Sequence, residues 1–391
     1  MTTTETLVDT LSFSEEQLMI RDLVRDFAAN EIAPIAIAID REERFPRELF
    51  GKMGELGILG IPFPEAWGGG GGDWVSYCLA IEETAKVCGS TALGLAAAVS
   101  LGIGPIVNFG NDEQRRKYLP DLMNGRKLAA FGLTEPGAGS DAGGSMVTTA
   151  KRDGAEWVIN GAKAFITNGN AAEVFVVTAR TDASKGNRGI SCFIVERGMK
   201  GFSTQSMKDK LGMRGSDTAE LIFEDVRVPA ENLVGEEGLG FSKFLATLDG
   251  GRIVIGTLAL GLAEGALARA VRYSKERKQF GKPIAELQAI QHKLADMATR
   301  THAARLACFH AARLKDAGRP FKQEAAMAKL FASEASYYVT KEAIQIHGGT
   351  GYCREYEVER MFRDAKLCEI GEGTSEIQKL VISRCVLGGQ Q

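Results

Sequence analysis

The chain has 391 residues, 45% of them apolar and 25% charged, with a formal net charge of −3. That balance belongs to a globular protein of two or three domains, with enough apolar surface to offset chain entropy, and it excludes a disordered chain. The slightly acidic charge speaks against a nucleic-acid binder, which needs a basic face, and 46 glycines without a Gly-X-Y period exclude collagen.

The N-terminal Met-Thr-Thr-Thr-Glu-Thr is neither basic nor followed by an apolar core. No signal or transit peptide is expected, and a bacterial cytoplasmic location is. Ser14 and Gln17 form a capping box, and Phe13 and Leu18 a hydrophobic staple, before a helix with Ile20, Leu23, Val24 and Phe27 at helical spacing. Pro34 and Pro46 punctuate the next segments. The five glycines at 68–72 must form a loop, since they offer no side chain to pack. Residues 73–101 return to an Ala/Leu-rich helical pattern.

From about 128 the period becomes that of strands. Residues 156–161 end in an Asn-Gly hairpin turn, and 164–167 are closed by Asn168-Gly169. Further strands are predicted at 174–178, 190–195 and 221–228, so a small sandwich or barrel of about 100 residues is expected. Beyond Pro229 and a Gly-rich run at 234–240, helices are predicted at about 241–276, 286–316, 321–348 and 375–386. Leu287, Ile290, Leu294 and Met297 mark the core of a close-packed bundle. No uninterrupted apolar run reaches the ~18 residues of a membrane span.

Seven cysteines, an odd number with no C-x-x-C spacing, read as thiols of a reduced chain. The four histidines contain no H-x-x-x-H or H-E-x-x-H pair. His302 and His310 share at most a helix face, and no metal site is expected.

Two motifs carry the chemistry. Gly132-Leu-Thr-Glu-Pro-Gly-Ala-Gly-Ser-Asp141 is a Gly-rich turn with hydroxyls and free N–H groups, able to press its backbone against a flat or anionic ligand. It is not the G-x-G-x-x-G of a dinucleotide fold. The second runs from Gln345-Ile-His-Gly-Gly-Thr-Gly351 to Glu369-Ile-Gly-Glu-Gly-Thr-Ser-Glu-Ile-Gln378. Ser375 and Gln378 there match a capping box, which alone would make Glu372 a carboxylate favoured by a helix N-terminus.

In this order and at this separation the two motifs resemble the signatures of the acyl-CoA dehydrogenase family. Asp249-Gly-Gly-Arg252 and Glu276-Arg-Lys-Gln-Phe-Gly281 are similar to that family as well. The resemblance covers nearly the whole chain and is nearest to the short-chain type, including bacterial members. It implies a multidomain α+β fold: an N-terminal helical domain (1–127), a middle β-barrel or sandwich (128–239) and a C-terminal four-helix bundle (240–391). It also implies an FAD-containing homotetramer that desaturates an acyl-CoA between its α and β carbons and passes electrons to electron-transferring flavoprotein.

Under that resemblance Glu372 is the base that removes the α proton in a dry site, where desolvation raises its proton affinity. The β hydrogen leaves as hydride to flavin N5, and the base residue's N–H and a ribityl hydroxyl polarise the thioester carbonyl. Phe131, Leu133, Thr134, Gly139 and Ser140 correspond to the flavin loop. Phe165, Ile166 and Thr167 match the usual Trp-Ile-Thr, and phenylalanine keeps the stacking surface without the indole donor. Arg277, Phe280 and Gln288 match positions that reach the cofactor across a subunit boundary; Gln345, Gly348, Gly349, Thr374 and Glu376 complete the cofactor set. Ser140, Asp249, Arg252 and Gly373 fall on the substrate side.

Three departures shape the substrate expectation. Gly371 replaces a tyrosine that many straight-chain members carry before the base, so a branched or alicyclic acyl group is expected. Residues 89–94 lack the arginine of glutaryl-type relatives, which disfavours a dicarboxyl substrate. The small apolar residues at 95–100 are expected to line a roomy pocket. Gly251 matches the base position of isovaleryl-type relatives and cannot serve as one. The alternatives are an oxidase or an enoyl-CoA reductase on the same fold, and a non-catalytic flavoprotein, which the retained Glu372 opposes.

Overall fold

Ser14 opens the first helix as predicted. Its side chain accepts from the Gln17 N–H (3.2 Å), and the Ser14 N–H donates to Gln17 Oε1 (3.0 Å), closing the capping box. The structure, a computed structural model, describes residues 12–388; the N-terminal stretch read above for targeting lies outside the described residues. In α1 (Glu15–Phe27) Val24 and Phe27 are buried, whereas Leu23 faces solvent, so a narrower stripe packs than the sequence pattern offers.

Helices α2 (Ala36–Glu42) and α3 (Arg47–Glu55) flank Pro46. The glycine run is a loop, but a bonded one. The N–H groups of Gly70, Gly71 and Gly72 donate to the carbonyls of Gly60, Phe63 and Ile61 (2.8, 2.9 and 2.9 Å). Asp73 then caps α4 (Trp74–Ala85), accepting from the Ser76 N–H (2.7 Å). After α5 (Gly89–Ala96), a π-helical segment (Ala97–Ile103), α6 (Gly104–Phe109) and α7 (Asp112–Met123) close the helical layer.

The chain then turns to strands: β1 (Ala129–Gly132), β2 (Thr149–Asp153), β3 (Glu156–Thr167), β4 (Val174–Arg180), β5 (Ile190–Glu196), β6 (Phe202–Ser206) and β7 (Thr218–Pro229). They make one sheet in the order β1-β4-β2-β3-β7-β6, with β5 on β4. The expected Asn160-Gly161 hairpin is corrected. β3 runs straight through it, and its register on β7 shifts between Ile159 and Gly161, a bulge. The Asn160 side chain is held there by Asp225: its Nδ2 donates to Asp225 Oδ1 and its Oδ1 accepts from the Asp225 N–H, both at 2.9 Å. Pairing along two twelve-residue strands outweighs the local turn preference, and the tight turn falls at Gly154-Ala155, between the paired Asp153 and Glu156.

The C-terminal helices are α8 (Gly240–Glu276), α9 (Gln288–Asp316), α10 (Lys322–His347), α11 (Val358–Cys368) and α12 (Ser375–Val386). The sequence reading lacked α11, whose Val358, Met361, Ala365 and Cys368 are buried at helical spacing. Of the stripe predicted on α9 only Met297 is fully buried; Leu287, Ile290 and Leu294 are half-buried. α8 is the axis of the molecule, packed on α10, α9 and α4, and buried throughout 250–266. Two segments, Gly89–Phe109 and Gly240–Glu276, are long and apolar enough on average to cross a membrane, although polar residues interrupt both and no unbroken apolar run reaches that length. In each, 78% of the apolar window is buried inside the protein, as in core helices.

Buried charge joins the layers. Arg305 of α9 pairs with Glu82 of α4 and with Glu264 of α8. Lys86 reaches Glu82, Glu83 and Glu264 at 3.0, 2.9 and 2.6 Å. On the sheet side, Asp364 of α11 accepts from the Met213 N–H.

Candidate active site

Glu372 lies in the turn between α11 and α12. Its φ is +53° and that of Gly373 is +97°. A left-handed glutamate is strained, and such strain persists only where the surroundings enforce it. The side chain lies against α8 at Gly251, where a Cβ would stand 1.8 Å from Glu372 Oε2. The carboxylate therefore rests on the helix at a residue without a side chain. Its Oε2 is buried and has no hydrogen-bond partner among the described residues.

Burial pushes the Glu372 pKa up to about 7, against the opposing charges of Lys329 and Arg252. A carboxylate merely favoured by a helix N-terminus would shift the other way. Glu376, in the first turn of α12, does so: its backbone N–H and the Thr374 hydroxyl lower it. Two carboxylates four residues apart are thus sorted into a reluctant acid and a surface anion, the division of roles that proton-transfer sites use.

The α12 cap sits one residue earlier than predicted. Thr374, not Ser375, is the N-cap, its Oγ1 accepting from the Ile377 N–H (3.4 Å). Ser375 is the first helical residue, and its hydroxyl is buried without a partner among the described residues. Gln378 belongs to the turn: its Nε2 donates to the carbonyls of Gly373 (2.8 Å) and Glu372 (3.4 Å). Lys329 Nζ donates to the same Gly373 carbonyl (2.7 Å). On α8, Arg252 is buried and paired with Asp249 one turn away. Tyr77 of α4 is fully buried, its hydroxyl donating to the Ala96 carbonyl (3.3 Å) and within electrostatic reach of Glu372. That places the segment at 95–100 beside the carboxylate's surroundings.

Lys329, Gln378 and Tyr77 were not singled out from sequence. A signal for Lys329 existed: Ala325, Ala326, Ala332, Ser333 and Ser336 share its face of α10, and all are buried. A lone lysine in a small-residue stripe departs from the rule that lysines stay at the surface.

The Gly-rich turn forms a second group. Lys163 Nζ donates to Glu135 Oε1 (2.8 Å) and to the Leu133 carbonyl (3.3 Å), both side chains being buried. The Ala164 N–H donates to the Thr134 carbonyl (2.8 Å). The next residue, Phe165, has φ +59° and is 66% exposed, whereas Ile166 is buried in the sheet and offers only its backbone. Gly139 and Ser140 are exposed, and a Cβ at Gly137 or Gly139 would meet nothing within 4 Å. Phe131 stacks on Phe244 of α8 at 3.9 Å, two helical turns before Gly251. An exposed ring on strained backbone, beside an open glycine turn on the side of α8 that leads to the buried Glu372, fits the FAD implied by the sequence: a flat ring system beside Phe165 and polar groups along the turn.

Arg277, Phe280, Gln288, Gln345, Gly348 and Gly349 form a third group, all exposed. Phe280 is 88% exposed, on the hairpin of β8 (Lys278–Gln279) and β9 (Lys282–Pro283). His347 stacks on Tyr273 at 4.3 Å, setting the end of α10 beside the end of α8. At 1.5 Å per residue, Arg277 is about 39 Å along α8 from Gly251. Within one chain this group does not meet Glu372.

Three family models match the chain: acyl-CoA dehydrogenase N-terminal domain over residues 14–126, middle domain over 130–226 and C-terminal domain over 238–387. A probable acyl-CoA dehydrogenase of Bacillus subtilis is 56% identical over 375 residues, 96% of this chain and 98% of that protein. Butyryl-CoA dehydrogenase from Megasphaera elsdenii has a TM-score of 0.94 and 47% identity, covering 96% of this chain and 99% of that one. A chain from work on the electron transferring flavoprotein of Acidaminococcus fermentans has a TM-score of 0.95 and 50% identity, with coverage of 96% and 99%.

Proposed function

The chain belongs to the acyl-CoA dehydrogenase family, and on that premise we propose that Glu372 is the base that starts α,β-desaturation of a short acyl-CoA. The enzyme is an FAD-dependent oxidoreductase of acyl-CoA thioesters. The observation that carries the base assignment is the buried, unpartnered Oε2 of Glu372 resting on Gly251. A carboxylate with a pKa near 7 is matched to accepting a proton at neutral pH.

Glu372 takes the α proton, and its own N–H polarises the thioester carbonyl where negative charge develops. FAD, when bound, accepts the two electrons that depart with the β hydrogen. Phe131, Leu133, Thr134, Gly139, Ser140 and Phe165 to Thr167 are the proposed holders of its ring side, with Thr374 and Glu376 beyond. Arg277, Phe280, Gln288, Gln345, Gly348 and Gly349 would serve its phosphates and adenosine from a second copy. The ~39 Å along α8 supports that sharing, and with it the homotetramer. Ser140, Asp249, Arg252 and Gly373 are assigned to the substrate side.

For the acyl group, the atoms nearest a Cβ at Gly371 belong to Leu367, at 3.5 to 3.9 Å, which is ordinary contact, so the backbone there has room to start a side chain that this sequence omits. This supports acceptance of a branch or ring at the β carbon. Electron-transferring flavoprotein is the proposed acceptor, on the likeness to the Acidaminococcus chain, and the bacterial cytoplasm the proposed location.

Anaerobic titration with butyryl-, isobutyryl-, isovaleryl- and cyclohexanecarbonyl-CoA, followed at the oxidised flavin band, tests the reading. We expect bleaching by one class and at least a hundredfold slower bleaching in Glu372→Gln with flavin still bound. Undiminished bleaching in that variant removes the base assignment. Strong preference for butyryl-CoA over every branched and cyclic thioester removes the role of Gly371. Rapid peroxide formation in air without another acceptor would instead make the enzyme an oxidase.

A further inference from the structure

Lys329 is fully buried, on α10, among alanines and serines. It makes no ion pair among the described residues, and its one hydrogen bond goes to the Gly373 carbonyl. That carbonyl already receives Gln378 Nε2 at 2.8 Å. A neutral donor therefore satisfies the turn, and a second donor brings a charge into a dry place, where an ammonium is costly to keep. Packing alone gives no reason for that charge.

We propose that Lys329 is a positioning residue for the base: it clamps the left-handed turn at Gly373 and supplies the cation that holds Glu372 as a carboxylate. The inference rests on Glu372 being the base. The groups facing that carboxylate are few. From α8 comes Arg252, whose charge is shared with Asp249. From α4 comes the neutral Tyr77 hydroxyl. From α11 and the turn after it, Cys368 and Glu369 face Lys329, and Glu369 is itself paired with Lys366 at 2.5 Å. Of the two cations near Glu372, Lys329 is thus the one that makes no ion pair among the described residues. Burial lowers the Lys329 pKa to about 8, so it carries its proton at neutral pH.

The test is the pH dependence of kcat/KM, with whichever of the four thioesters bleaches the flavin fastest, for the FAD-loaded enzyme and its Lys329→Met, Lys329→Gln, Lys329→Arg and Gln378→Leu variants. Both neutral Lys329 variants are expected to raise the acid-limb midpoint by about one pH unit, a tenfold change in proton affinity. Lys329→Arg should keep the midpoint. Gln378→Leu, which loosens the turn but leaves the charge, should lower kcat without moving it. A wild-type midpoint in a folded, flavin-loaded Lys329→Met or Lys329→Gln overturns the inference. So does an equal shift in Gln378→Leu, or failure of both neutral variants to hold flavin, which would mark a purely structural lysine. Full turnover in Glu372→Gln is a separate result and overturns the base assignment itself.

Discussion

At the scale of single residues, the site depends on one missing side chain. Glu372 Oε2 occupies the space a Cβ at Gly251 would need. Gly251→Ala sets a methyl against the flexible end of the Glu372 carboxylate, so the carboxylate yields and the helix does not. We expect kcat to fall about a hundredfold, the order lost when a reacting group is displaced by about 1 Å, with FAD content unchanged. Stopped-flow reduction by the thioester that bleaches the wild-type flavin fastest checks this, and undiminished reduction would show that the carboxylate works from elsewhere. Glu372 was legible in the sequence because its neighbours form a motif. Lys329 was not, because a lysine in an alanine stripe is recognised as buried only once the helix is set among its partners.

At the scale of elements, the Gly-rich turn is held by the buried Lys163–Glu135 pair and by two backbone donors, Val147 and Thr148, at 2.7 and 3.0 Å from the Glu135 carboxylate. Lys163→Met leaves that carboxylate buried without its cation. Unpairing a buried ion is strongly destabilising, here on the order of 3 kcal/mol. The loss should appear first where the pair sits: FAD dissociates more readily on gel filtration, and the urea midpoint of the FAD-loaded protein falls. The strands were only partly legible. β4 and β5 are apolar runs, whereas β2 and β6 carry Thr-Ala-Lys-Arg-Asp and Phe-Ser-Thr-Gln-Ser, which announce nothing. Asn160-Gly161 misled because turn preference is local and strand pairing is not.

At the scale of the whole molecule, the long helices and their order were readable from periodicity, but their assembly was not. Arg305 meets Glu82 across 223 positions of sequence and Glu264 across 41, contacts no local pattern encodes. The same holds for the active site if Glu372 and Arg277 act in different copies. Co-expression of Glu372→Gln with Arg277→Met then places both intact residues in one site of each mixed pair. About a quarter of all sites should be restored, although each variant alone is inactive. Absence of restored turnover in a purified mixed oligomer would show that each chain builds its own site.

The glycine run at 68–72 has a consequence at the level of the gene. Five successive glycines are spelled by codons that all begin with GG, so the gain or loss of one triplet would leave the segment reading almost the same. The loop is not an elastic linker that would tolerate such a change. A Cβ would strike the Phe63 carbonyl oxygen at Gly69 (2.2 Å) and the Ile61 carbonyl oxygen at Gly72 (2.9 Å), and Gly68 and Gly71 hold positive φ. One added triplet would put each following glycine opposite the wrong carbonyl and carry Asp73 away from the helix it caps. The monotonous spelling therefore conceals a segment of fixed length, in which one glycine more or fewer should cost stability although the composition hardly changes.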